Sequence, residues 1–544
     1  MMFFLALFSC TEPMEDGNFD PEHIVDIEIT IEEEDWNALC HQSRSFFSEF
    51  AGDCMAAPFS GPYTYFPASI TMDDQSLSNI GVRKKGFIGS QSTTKPSLRI
   101  NLDEYEDGVE LFQTDNITLN NGVQDPTRIR QCIGYSLFEK AGLPASRCNF
   151  ARVSINGGDP KIYVHVEPIK RSFLRRTFGN DDGDLYEGTI SDFDPIRQHT
   201  FEPKNSDTDE SLAPIFALTT LLQSGEPLAQ ESLEEHLNLD AFLTFWSMEI
   251  LTGHWDGYTG NNNNNFYMYR DPITMQFAFI PWGLDDVFDP ALNQEEERYT
   301  FSASALTNAI LSSPDLNPLF EEKLRFLLDS VWNEDEILAE VDRIEELLST
   351  EPYMESHLAE ISSIREYVSS HREYIERSLP AQASERPNPY CIQEVGEIQA
   401  SFETTWGTNN SENPFQEGSA DISLDMPNWR PSFLNTGAGA GFADEESVGN
   451  STLFLAGYTD DDVLLYPYFE FDHEMAAEGS LAIDQITTYG NLYYTTEEIG
   501  YVPIQAGFLY GGSLDFEVFE ATEGGSIRGS FSSFVYNWQE VSSE

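Results

Sequence analysis

Basic residues are scarce in this chain of 544: 29 Lys and Arg stand against 93 Asp and Glu, for a formal net charge of −64. Such an excess repels nucleic-acid backbones and anionic lipid surfaces at long range, which excludes nucleic acid as a partner. It suits a solvated surface in saline surroundings. Cysteine is sparse as well. The six, at 10, 40, 54, 132, 148 and 391, include no C-x-x-C pair, which argues against a zinc or thioredoxin-like site. Beyond the N-terminus no stretch reaches the roughly 18 uninterrupted apolar residues of a membrane-spanning helix. Long repeats are absent, and the low-complexity content is a single run of five Asn.

Apolar material is plentiful. With 40% hydrophobic and 13% aromatic residues the chain can bury large cores, so global disorder is excluded. Its length exceeds what one core organises and suggests about two to four domains. The opening MMFFLALFSC is an apolar run closing on Cys10, followed by the acidic TEPMEDGNFDPE. This resembles a bacterial lipoprotein signal, in which the Cys carries the lipid, although the charged n-region is missing and the apolar part is short. Residues 1–10 then form the signal segment and 11–23 an acidic tether. The protein is expected to be exported and held at the cell envelope or outer surface of a bacterium by lipid on Cys10. Export permits disulfides, and Cys40–Cys54 and Cys132–Cys148 are the short-range pairs expected, leaving Cys391 unpaired.

From 24 to 190 the pattern is a sheet plus one helix. IVDIEITI alternates apolar and polar residues, and SNIGVRKKGF with KPSLRINL reads as a strand pair. DPTRIRQCIGYSLFEKAGLP predicts a helix with Asp125 as N-cap, Pro126 in its first position and Gly142 as its stop. FARVSINGGDPKIYVHVEP follows as a hairpin over Gly-Gly. From 191 to 380 helices dominate, with Ile337, Val341, Ile344 and Leu348 on one face of an acidic segment. The exception is HWDGYTGNNNNNFYMYRDP, where NFYMYR and QFAFIPW form a hairpin around DPITM. Residues 381–391 are a Pro-containing linker, and 392–544 read as an antiparallel β-domain of sandwich type.

The hairpin carries the chemistry. In an antiparallel pair the start of the first strand lies beside the end of the second, so Asp256 and Asn261 should meet Asp285 and Asp286 of PWGLDDVFD. Carboxylates with a neutral amide oxygen are hard donors suited to Mg²⁺ or Mn²⁺. His254-x-Asp256-x4-Asn261 also fits the H-x-D-x4-N spacing of a protein-kinase catalytic loop, where the Asp accepts the substrate hydroxyl proton and the Asn holds metal. His254 itself reads as a structural group orienting the loop.

HWDGYTGNNNNNFYMYRDP with FAFIPWGLDDVF closely resembles the signature of the CotH-type kinases, related to spore coat protein H. IVDIEITIEEEDWNAL, IGVRKKGFIGS, KPSLRI, ITLNNGVQDP, VEPIKRSFLRRTFG and GDLYEGTISDF follow in the family's order over about 24–378. The resemblance implies an α+β, two-lobed atypical protein-kinase-like fold, with a mixed-sheet N-lobe (24–190) and a mostly helical C-lobe (191–380). It implies ATP and Mg²⁺ or Mn²⁺ as cofactors, and protein Ser or Thr as substrate. By position Asp256 would be the catalytic base, with Asn261 and Asp285 the metal ligands and Asn265 and Asp286 further candidates. Lys95, with Lys85 as second choice, would contact the nucleotide phosphates, approached also by the backbone of Gly86 and Gly89. Glu167 would lie near the inter-lobe hinge. Two positions depart from the family. Gly283 stands where many members have Asp, and Gln131 where a Glu often pairs the nucleotide lysine, for which Glu139 is a substitute candidate. A kinase-like scaffold without turnover, acting as a coat or adhesion protein, is the rival reading. A hydrolase is disfavoured because Asp285 and Asp286 are adjacent.

Overall fold

The alternation of IVDIEITI becomes a strand, β1 (Ile24–Ile31), that buries Val25, Ile27, Ile29 and Ile31 and exposes the residues between. The computed structural model describes residues 18–541 apart from 60, 206–210, 226–227, 294–300, 352–356, 384–385, 387, 410–412, 428, 444–449, 477–478, 486 and 498–501. Cys10 and the expected signal lie outside the described residues. The chain divides into two compact units, one of residues 1–44 and 55–387, the other of 45–54 and 388–542.

The first unit begins as a closed barrel. Its strands are β1, β2 (Phe66–Met72), β3 (Gln75–Lys85), β4 (Ser97–Asn101), β5 (Asn116–Asn120), β6 (Cys148–Ile155) and β7 (Lys161–Val166), in the order β1-β2-β3-β4-β5-β7-β6. Parallel pairing of β1 with β6 closes it, and the other pairs are antiparallel. Val25, Ile70, Ile80, Val82, Ile100 and Leu119 fill its core. The helix between β5 and β6 spans Arg130–Lys140, starting later than its sequence suggests. Asp125 instead organises the turn before it, accepting from Thr127 Oγ1 at 2.5 Å and Arg130 N at 3.0 Å. Gly142, at φ +84°, ends it as expected.

A second sheet of four strands follows: β8 (Asp184–Gly188), β9 (Glu202–Pro203), β10 (Phe266–Arg270) and β11 (Phe277–Pro281), in the order β11-β10-β8-β9. The expected aromatic hairpin is β10–β11, registered Phe266 to Pro281. It packs on the helix Leu239–Thr252, which is buried along nearly its whole length and is held in turn by the helix Asn317–Ser330, where Trp246 stacks on Phe320 at 3.6 Å. The acidic helix Glu334–Leu348 buries Ile337, Val341, Ile344 and Leu348, the stripe its sequence presents. No helix among the described residues is long and apolar enough to cross a membrane.

In the second unit, nine strands between Tyr390 and Glu540 form one continuous antiparallel sheet, which corrects the expected sandwich. Bulges between Glu394 and Gly396 and between Tyr510 and Ser513 increase the twist of its longest strands. The sheet curls until Trp406, past the end of its first strand, bridges Ala440, so one sheet encloses one core. The short helix Phe46–Phe50 belongs to this unit and stacks Phe47 on Tyr510 at 3.9 Å. That placement explains the cysteines. Cys54 bonds Cys391, Cys132 bonds Cys148, and Cys40 is a buried free thiol in the barrel core, so the expected Cys40–Cys54 pair is replaced.

Candidate active site

Gly253, at φ +70°, ends the helix Leu239–Thr252 and turns the chain into the loop that carries Asp256. The Asp256 carboxylate accepts from the amides of Asn262 and Asn265 at 2.7 Å each and of Asn264 at 3.3 Å. Asn263 serves the loop differently, since its Nδ2 donates to Tyr258 O at 2.7 Å and Gly260 O at 3.2 Å and closes the loop on itself. Asn263 and Asn265 sit at φ +47° and +49°, where Asn is among the most tolerant of side-chain-bearing residues. The Asn run is therefore a cradle for one acid. Asn261 is the exception, exposed and outside the cavity that Asp256 faces. Burial pushes the Asp256 carboxyl up to about 6 despite the amide hydrogen bonds from Asn262 and Asn264.

The hairpin returns the chain to this loop, where Trp282 N donates to Asn265 O at 3.1 Å. Gly283 follows at φ +58°, and a Cβ there would lie 2.6 Å from Asn265 Oδ1, so the site requires glycine for both conformation and space. In the turn Leu284–Asp286 the two acids part. Asp285 lines the cavity, while Asp286 turns to accept from Trp255 Nε1 at 2.9 Å. Burial raises the Asp285 carboxyl, and the charge of Lys85 opposes that rise.

Lys85, the last residue of β3, supplies the cation. Its Nζ donates to Asn120 Oδ1 at 2.5 Å, and Asn120 Nδ2 donates to Gln131 Oε1 at 2.7 Å. Gln131 thus reaches the lysine through a neutral relay in place of an ion pair. Burial lowers the Lys85 ammonium to about 8, with Asp285 working against it. Lys95 is not brought to the cavity: its Nζ is spent on the carbonyls of Asn121 at 2.6 Å and Ile162 at 2.7 Å, over the Tyr163 ring. Lys85→Met should therefore weaken nucleotide binding at least tenfold in calorimetric titration, whereas Lys95→Met should leave it within about twofold and lower thermal stability instead. Gly86 and Gly89 do line the cavity. Gly86 stands at φ +120°, and a Cβ on it would meet Ser90 Oγ at 2.5 Å. The Glu167 carboxylate points elsewhere, paired with Arg147 at 3.1 Å and Arg176 at 2.6 Å, while the next two residues, Pro168 and Ile169, line the cavity.

The cavity measures about 460 Å³. Five of the chain's scarce bases line it, Arg44, Arg83, Lys85, Arg99 and Lys204, against four acids, Glu187, Glu202, Asp256 and Asp285, so it is close to charge balance within a strongly anionic protein. For a divalent metal it offers the Asp285 carboxylate and Asn265 Oδ1, which stays available because Asn265 spends its Nδ2 on Asp256. Among the described residues no group of three or more His, Cys, Asp or Glu side chains could hold a metal by itself. Two hard oxygens fit Mg²⁺ or Mn²⁺, which take part of their shell from water and phosphate.

One group that organises the loop escapes the sequence patterns. Glu249, fully buried on the helix Leu239–Thr252, accepts from Tyr258 N at 3.0 Å, Thr259 N at 2.8 Å and Thr259 Oγ1 at 2.5 Å, and lies 3.4 Å from His254 Nδ1. A Cβ on Gly257 would come within 2.2 Å of this carboxylate. Asp192, equally buried, accepts from Tyr258 Oη at 3.1 Å and Ala305 N at 2.8 Å and pairs with Arg386. The available signal for Glu249 is a single acid inside the apolar run FLTFWSMEILTG.

A family model described as CotH kinase protein matches residues 82–380, more than half of the chain, and the chain belongs to that family. It is 24% identical over 291 residues to the inner spore coat protein H of Bacillus subtilis, covering 48% of this chain and 78% of that one. It is 25% identical over 232 residues to spore coat protein homolog 1 of Rhizopus delemar, covering 39% of this chain and 38% of that one. With invasin CotH7 of the same fungus it shares 24% identity over 232 residues, again 39% of this chain and 38% of the relative. The chain thus spans well under half the length of these two fungal relatives. The crystal structure of CtkA, a Helicobacter pylori proinflammatory kinase, aligns at 10% identity over 52% of this chain and 95% of that one, with a TM-score of 0.26, too low to carry an argument.

Proposed function

We propose that this protein transfers the γ-phosphoryl group of a nucleoside triphosphate such as ATP to Ser or Thr hydroxyls of a protein partner, using Mg²⁺ or Mn²⁺. The observation that carries this reading is the convergence of Lys85, Asp256, Asn265 and Asp285 on one cavity rich in the chain's scarce bases. Lys85 and the backbone of Gly86–Ser90 would bind and orient the phosphates. Asp285 and Asn265 would hold the metal, which when bound neutralises phosphate charge. Asp256, positioned by three amides, would receive the proton of the attacking hydroxyl. The names of the relatives support a protein of a coat or outer surface, and the apolar run closing on Cys10 is what supports export and attachment through lipid there.

Purified protein incubated with γ-labelled ATP or GTP and Mn²⁺ should label itself or an added protein. Asp256→Ala and Asp285→Ala should each reduce the transfer about 10²- to 10⁴-fold. Transfer that survives both replacements together would defeat the assignment. A nucleotide-free scaffold is the second reading, favoured by Gly283 and the neutral Gln131, and absence of nucleotide binding by the unaltered chain would select it.

A further inference from the structure

The roof of the cavity is built in rows, because strand register places its side chains side by side. Lys85 pairs with Ser97, and two residues back along β3, on the same face, Arg83 pairs with Arg99, Arg99 with Thr118, and Thr118 with Val166. The first row holds the lysine assigned to phosphate. From the second, β7 runs on from Val166 to Pro168 and Ile169, which line the cavity. A nucleotide with its phosphates on Lys85 and the Gly86–Ser90 loop that extends toward this second row would lay its base by Arg83, Arg99 and Thr118.

That end is charged where a slot for adenine would be apolar. Arg99 Nε is buried without a hydrogen-bond partner. The lining also holds Glu187, Glu202 and Lys204, whose Nζ lies 2.8 Å from each of the two carboxylates. A second polyphosphate subsite is disfavoured there, since Glu187 and Glu202 would repel it. A neutral base carrying acceptors on one edge and donors on another matches the mixed charges. Guanine presents O6 and N7, the pair a guanidinium engages with two parallel hydrogen bonds, and its N1–H and N2–H suit a carboxylate. Adenine offers N7 beside the N6 amine, a donor set against a donor.

We propose that Arg99, with Glu202 or Glu187 as acceptor, selects a guanine base, so that GTP is the preferred phosphoryl donor. The inference rests on the phosphotransfer reading above. In the transfer the Ser or Thr oxygen bonds to the γ-phosphorus, and the bond from that phosphorus to the β,γ-bridging oxygen breaks. GDP leaves with the electron pair, and the hydroxyl proton passes to Asp256.

The test titrates the full chain, carrying Asp256→Asn to prevent turnover, with GTP and with ATP in the presence of Mn²⁺. GTP should bind about tenfold more tightly or better. Arg99→Met should bring the ratio of GTP to ATP affinity down to about one, and its thermal midpoint reports whether it folds. The titration of the chain with Arg99 intact stands alone if that variant does not fold. ATP binding as tightly as GTP overturns the base assignment and leaves phosphotransfer standing. Binding of neither nucleotide overturns both.

Discussion

Glu249→Ala should lower the free energy of unfolding by about 3–5 kcal/mol, read from urea titration followed by tryptophan fluorescence. The carboxylate is fully buried and takes two backbone N–H groups and one hydroxyl from the loop that follows Asp256. Without it those three donors lose their acceptor in a fully buried site, and each unsatisfied buried donor costs about 1–3 kcal/mol. Glu249→Gln keeps the shape but turns an amide donor toward donors. The loop should then shift, and a displacement of about 1 Å at Asp256 costs on the order of 10²-fold in kcat. KM for nucleotide should hold, because the Gly86–Ser90 loop and Lys85 belong to the barrel side of the cavity. An unchanged urea midpoint in the Ala variant, or a Gln variant that loses KM and keeps kcat, would remove Glu249 from the loop's support.

A second large effect is expected in acid. Burial holds the imidazoles of His165 and His371 neutral and lowers each to about 3, with the Arg147 charge adding to the effect at His165. His165 Nδ1 meets Asn149 Oδ1 at 2.9 Å, and His371 Nε2 lies 3.0 Å from Ile250 O. An unfolded His titrates near 6.5. Between about 6.5 and 3 the unfolded chain therefore binds up to two more protons at these positions than the folded one. Their contribution is complete above pH 6.5 and is lost as the pH falls toward 3, by about 1.4 kcal/mol per unit for each ring. The raised carboxyls of Asp256 and Asp285 work in the opposite direction, so the comparison must be differential. From pH 7 to pH 5, His371→Gln should lose about 2 kcal/mol less stability than the unaltered chain. Parallel losses in the two proteins would show that His371 takes up its proton while folded.

Local patterns in the sequence are legible wherever neighbours in the chain decide the outcome. The alternation of β1, the β10–β11 hairpin and the buried face of Glu334–Leu348 all follow from periodicity. So does the meeting of Asn265 with the turn after Trp282, because hairpin geometry makes residues far apart in sequence adjacent. Motif spacing misleads where several side chains compete for one role. H-x-D-x4-N points to Asn261, yet three later Asn reach Asp256 and the first faces solvent. Lys95 and Lys85 are equivalent as letters, and only the folded chain shows that Lys85 ends a strand beside the cavity while Lys95, in the bend before β4, is spent on backbone carbonyls. The Cys132–Cys148 pair follows from short spacing, but the Cys54–Cys391 bond spans 337 residues and the curling of the sheet rests on tertiary contacts such as Trp406 with Ala440, for which one sequence holds no local sign.

The decapeptide Ser45–Cys54 gives the gene an unexpected grammar. Ten codons near the start complete a sheet whose strands are encoded after codon 388, and Cys54 is bonded to Cys391. A fragment begun at Asn388 would lack the helix that stacks on Tyr510 and would leave Cys391 without its partner. The C-terminal sheet is therefore no detachable cassette. Swapping or truncating it as a contiguous block leaves its missing piece behind in the first unit, and a graft onto another protein has to carry both stretches.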